Sequence, residues 1–157
     1  MNKILFGLFF ILFTHFTFAQ EIDTTAILVD EIQVDVKDVT LSVKGDTATV
    51  ELFLISYKRN PRELKLNTYA TQIGDSTGNY HLYDSIKMGK VLVLLAHRQN
   101  YLHYFMEEDV PVPFQIKVAN WAQDRGKPTH LKLVFEDSKE EGKYLEKTVD
   151  LIYNKKG

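Results

Sequence analysis

The chain has 157 residues, 45% of them hydrophobic, with 19 basic and 21 acidic side chains, a net charge of −2 and no cysteine. A domain of this size can bury a sizeable core without cross-links, so a disulfide-stapled scaffold is excluded. Charges of both signs alternate along the chain, which excludes the basic footprint of a nucleic-acid binder.

The chain opens on Lys3, an almost unbroken apolar run over residues 4–16, and then Thr17, Phe18 and Ala19. This pattern predicts a secretory signal peptide over residues 1–19, cleaved after Ala19. The run is 13 residues, short of the ~20 that a spanning helix needs. The mature protein is therefore expected to begin at Gln20 and to be exported, periplasmic or secreted. Without cysteine it cannot take the lipid anchor of a bacterial lipoprotein, and no later segment is long enough to span a membrane.

Residues 20–30 read as an N-terminal linker, and residues 31–157 as one domain. From Glu31 onward the apolar period is two. Ile32, Val34 and Val36 alternate in one phase, then Val39, Leu41 and Val43 in the other. A one-residue shift flips every side chain, so Lys37-Asp38 marks a β-bulge or a crossing between sheets. Gly45-Asp46 suits a two-residue hairpin turn. Residues 47–57 follow as a central strand covered on both faces: Ala48, Val50, Leu52 and Leu54 share one face, and Phe53, Ile55 and Tyr57 load the other.

Residues 64–73 predict one further strand, and residues 75–79 a turn before a short aromatic strand over 80–83. Residues 91–95 form a continuous apolar run that fits a buried strand. Val110, Val112, Phe114, Ile116 and Val118 alternate with Pro111 and Pro113, and the prolines suggest that this strand starts at a sheet edge. The only helical candidate is a turn over residues 121–125. Leu131, Leu133 and Phe135 make the next core face, then a charged loop around Gly142 leads to a last strand over 144–153. About eight short strands joined by turns predict an all-β fold, a single antiparallel two-sheet sandwich.

Four pieces of this pattern resemble a family of bacterial extracytoplasmic immunoglobulin-like domains of unknown function, similar to small secreted antigens. They are the valine-rich strand and Gly-Asp hairpin of residues 39–50, the Asp-x-x-Gly turn and aromatic of residues 75–80, the Val-Pro-Val opening of residues 110–114, and the Leu-Lys-Leu of residues 131–134. The resemblance implies an immunoglobulin-like sandwich and an extracytoplasmic location. It carries over no catalytic residue.

Gly74-Asp75-Ser76-Thr77-Gly78 satisfies G-x-S-x-G, the nucleophile elbow of α/β-hydrolases. That elbow needs a helix after the turn, but residues 79–83 read as a strand, so a hairpin loop is the better reading. His81, His97, His103 and His130 have no metal-ligand spacing, and Glu107-Glu108-Asp109 lacks a calcium loop, so no metal or cofactor is expected. Residues 98–106 crowd aromatics into a stretch that reads as a connection. It either folds back as a strand or offers a binding patch: Tyr101, His103, Tyr104, Phe105 and, from elsewhere, Trp121. The expected function is a non-catalytic exported domain that binds an envelope protein or glycan. The alternatives are a small hydrolase or metal-dependent enzyme using Ser76 or the histidines, and a purely structural envelope component.

Overall fold

The computed structural model describes residues 27–151, apart from residues 43 and 45. The expected leader, Gly45 of the expected turn and Tyr153 lie outside the described residues. The described residues form twelve strands: β1 (Ile27–Val29), β2 (Ile32–Leu41), β3 (Thr47–Ser56), β4 (Arg62–Asn67), β5 (Gln72–Gly74), β6 (Tyr80–His81), β7 (Ser85–Met88), β8 (Val91–Leu94), β9 (Tyr101–Met106), β10 (Val112–Ala119), β11 (His130–Glu136) and β12 (Tyr144–Asp150). Among the described residues there is no α-helix, and the expected turn near Trp121 is one 3-10 turn, Gln123–Arg125.

The strands form two sheets in which every ladder is antiparallel. The first has the order β1-β2-β3-β10-β7-β8. In the second, β12 pairs along the whole of β11, so β4 and β5 share the other edge of β11, with β9 beyond β4 and β6 beyond β5. Alternation explains the layering. Ala48, Val50, Leu52 and Leu54 of β3 and Val112, Phe114, Ile116 and Val118 of β10 are buried on one side. Leu64, Leu66, Leu102, Leu131, Leu133 and Phe135 are buried on the other. Each valine, leucine, isoleucine or phenylalanine among them contributes about 1.5–3 kcal/mol on burial. The all-β, two-sheet expectation is therefore met.

Several expectations need correction. Residues 27–29, expected to lie within the linker of residues 20–30, form β1. Residues 64–73 are two strands: the Asn67 side chain accepts from Ala70 N–H, and Thr71 N–H donates to the Asn67 carbonyl, closing a turn between them. Residues 91–94 lie at the sheet edge, paired only with β7, and Leu92 is exposed. Conversely the proline-bearing strand β10 is central, between β3 and β7. The Pro113 carbonyl accepts from Gly89 N–H, so its missing donor falls on the side where the β7 ladder has already ended at Met88. The outer face of β3 is only half covered, with Tyr57 exposed. The phase break at Lys37-Asp38 is a bulge within one continuous strand, β2.

A buried ion pair ties the sheets at one end. β1 and β2 are joined by Asp30 and Glu31, both at positive φ (49° and 60°), a two-residue primed hairpin turn made without glycine. What holds it is Arg62, the first residue of β4. Its Nη1 donates to the Asp30 carboxylate at 2.7 Å and to the Asp30 carbonyl at 2.9 Å. The Ser138 hydroxyl and N–H donate to the same carboxylate from the β11–β12 loop.

Candidate functional site

Antiparallel sandwiches ordinarily keep their outer faces polar. The outer face of the second sheet departs from this along β9, β4, β11 and β12. Tyr101, His103 and Phe105 alternate on β9 with the inward Leu102, Tyr104 and Met106, and Phe105 is 64% exposed. Opposite them on β4 stand Glu63, Lys65 and Asn67. Glu136 of β11 pairs in register with Tyr144 of β12.

The side chains of these four strands converge. Tyr101 and Tyr144 stack with ring centroids 6.0 Å apart and planes at 15°. The Lys65 ammonium lies 4.7 Å from the Tyr101 centroid and 5.8 Å from that of Tyr144. It also donates to Glu136 at 3.2 Å. His103 meets Tyr101 edge-on and pairs with Glu63 at 3.0 Å. The electrostatics follow from these contacts. The Tyr144 hydroxyl and the Glu136 carboxylate hold the Lys65 ammonium above its ordinary range. Glu136 is held below the usual carboxylate range by the Gly142 N–H, which donates to it at 2.7 Å, and by Lys65. Burial and the neighbouring Tyr101 push the Tyr144 phenol up. Lysine, acid and rings are thus fixed against one another, and the free ring surfaces and His103 face solvent.

The five residues expected to form one patch are split. Tyr101, His103 and Phe105 share this face. Tyr104 points inward and packs under Gly89: a Cβ at 89 would stand 2.7 Å from its ring. Trp121 is 2% exposed and lies in a different cluster. Sequence reasoning missed Lys65, Glu136 and Tyr144. The usable signal was parity: Tyr144 is out of phase with the inward Leu145 and Val149, so it had to lie on the outer face.

Trp121 anchors the second cluster, at the β5–β6 hairpin. Asp75 is buried, and its carboxylate accepts from Thr77 N–H, Thr77 Oγ1 and Asn79 N–H, and pairs with His81 Nε2 at 2.7 Å. Burial works against its charge, but the Thr77 hydroxyl, His81 and the Asn79 N–H outweigh it and hold Asp75 well below the usual carboxylate range. His81 meets the Trp121 ring edge-on at 5.0 Å, Arg125 lies over that ring, and Trp121 Nε1 donates to the Gly126 carbonyl. A shallow cleft of about 320 Å³ is lined by Asp75, Thr77, Asn79, His81, Ala122, Asp124 and Arg125. Ser76 sits in the loop between two strands, where its Oγ donates to the Arg125 carbonyl at 2.8 Å. The G-x-S-x-G stretch is thus a hairpin loop clamped to the Trp121 turn. It lacks the strand–turn–helix setting of a nucleophile elbow. Among the described residues no three histidines or carboxylates gather as metal ligands, and no helix is long and apolar enough to cross a membrane.

Compared with known proteins, the chain matches no family model, no curated protein and no solved structure.

Proposed function

We propose that this is an exported, non-catalytic binding domain and that the outer face around Lys65 takes a glycan. The observation that carries the reading is the stacked Tyr101–Tyr144 pair with Lys65 lodged against both rings and neutralised by Glu136. Aromatic rings offer flat apolar surface to the C–H face of a sugar, and amphipathic tyrosine suits a site that is half wet. Beside the rings, His103, Glu63 and Glu136 are spaced hydrogen-bonding groups for hydroxyls. A protein partner would favour a desolvated anchor cluster with a polar rim, and here charged groups stand among the rings themselves.

Residues 1–19 support export, and the resemblance to extracytoplasmic immunoglobulin-like domains agrees with it. The commitment of Ser76 to the Arg125 carbonyl supports a structural role for that loop.

The test is affinity electrophoresis through gels containing soluble β-1,4-mannan or β-1,4-polymannuronate. The wild-type domain is expected to be retarded, and Tyr101→Ala to lose at least about tenfold in affinity, or ~1.4 kcal/mol. Unretarded wild-type protein in both gels would overturn the glycan reading. Tyr101-dependent capture of one envelope protein would then replace it with the protein alternative.

A further inference from the structure

The same outer face carries a second aromatic–lysine unit. Tyr80 of β6 lies opposite Gly74, and a Cβ at 74 would stand 3.3 Å from the Tyr80 ring and 3.3 Å from His130 Cβ. The ring therefore rests against bare backbone, which any side chain at 74 would disturb, and it stays 43% exposed. Lys132 of β11 alternates with the buried Leu131 and Leu133, so it faces outward, and its ammonium lies 5.0 Å from the Tyr80 centroid. Lys65 has Glu136 as its counter-ion, whereas Lys132 has no ion-pair partner among the described residues. Leu66 pairs with Phe135, which sets Lys65 beside Glu136, four residues along β11 from Lys132. At ~3.3 Å per residue the two units are about 13 Å apart along the strand. Between them Val134 is buried, so a ligand meets this face at two places, not continuously.

Resting on the glycan reading above, we infer that the ligand is a linear acidic glycan that spans both units, with one sugar held by ring stacking and hydrogen bonds at Tyr101–Tyr144 and the charge of an acidic sugar taken at Tyr80–Lys132. The chemistry is a division of labour by charge. Lys65 is already matched, so its unit offers ring surface and hydrogen bonds. Lys132 is unmatched, so its unit takes an anion, a carboxylate or a sulfate, while Tyr80 supports the sugar ring beneath it. A disaccharide is too short to touch both units.

The test is calorimetric titration with β-1,4-linked oligomannuronates and neutral β-1,4-oligomannosides, each as disaccharide and hexasaccharide; a sulfated hexasaccharide separates the two anions. The wild-type domain is expected to bind the acidic hexasaccharide at least about tenfold more tightly than either the acidic disaccharide or the neutral hexasaccharide. Lys132→Ala should remove the preference for acid and Lys132→Arg should keep it. Tyr80→Ala should remove the gain with length. Raising the salt concentration should shrink the acidic preference, because the two charges meet at the protein surface within reach of mobile ions. Tyr80 and Lys132 are surface residues, so unchanged melting curves will show that these variants fold. Equal affinity for disaccharide and hexasaccharide, or unchanged binding in Tyr80→Ala and Lys132→Ala while Tyr101→Ala abolishes it, would overturn the two-unit inference and leave the glycan reading standing. No binding to any probe by the wild-type domain would overturn the glycan reading itself, and this inference with it.

Discussion

Replacing Asp30 by alanine should be among the most damaging single changes on a polar residue. The Asp30 and Arg62 side chains are 3% and 5% exposed. Removing the carboxylate strands a buried guanidinium and deprives the Ser138 hydroxyl and N–H of their acceptor. Breaking a buried pair from one side costs about 3–5 kcal/mol, and a domain holds only ~5–15 kcal/mol in total. With a urea dependence of about 2 kcal/mol/M, the unfolding midpoint should fall by ~1.5–2.5 M. Trp121 is the sole tryptophan and is buried, so its fluorescence reports the transition. The double change Asp30→Ala with Arg62→Met should be less destabilised than Asp30→Ala alone, because no charge is left unpaired. The pH dependence has a definite sign. Burial alone would raise the Asp30 pKa, but the Ser138 hydroxyl and Arg62 bring it below its ordinary value of 3.8. A lowered carboxylate contributes stability that is fully present above 3.8 and is lost as the pH falls through the folded-state pKa. Asp30→Ala should lack that acid loss. A midpoint drop below about 0.5 M, equivalent to ~1 kcal/mol, would refute the claim that this pair clamps the two sheets.

Other outcomes follow from the same geometry. Asp75→Ala removes an acceptor serving three loop hydrogen bonds and the His81 pair, and should cost about 3 kcal/mol with a change in Trp121 fluorescence; unchanged urea curves would show that the loop is not clamped. Ser76→Ala should leave glycan retardation unaltered and cost no more than ~1.5 kcal/mol, the worth of one hydrogen bond, whereas loss of a biological activity with the fold intact would restore the enzymatic alternative. Gly89→Ala meets both a positive φ of 54° and the Tyr104 ring, and should lower the melting temperature clearly more than Gly142→Ala, where the space is open. Leu66→Ala, at a fully buried site between the sheets, should cost about 2–5 kcal/mol by urea titration.

The inward residues were legible because a pleated strand must alternate: Ala48, Val50, Leu52 and Leu54, or Leu131, Leu133 and Phe135, are buried as their period of two required. The bulge at Lys37-Asp38 was legible for the same reason, since only an extra residue lets one strand change phase. Strand neighbours were not. Residues 91–95 fit a buried strand by sequence and Val91–Leu94 lies at an edge, while the Pro113 strand was expected to start at an edge and is central, because which strand sits beside which depends on long-range pairing that a local pattern does not encode. The candidate site shows the same division. Tyr101, His103 and Phe105 could be placed on one face by parity alone. Their union with Lys65, Glu136 and Tyr144, and the parting of Trp121 from them, required four strands from distant parts of the chain to lie side by side. The order of residues thus set which side of each strand is apolar. The packing of the sheets decided which outward side chains meet, because contacts between strands are fixed by register and by the burial that two whole sheets achieve together.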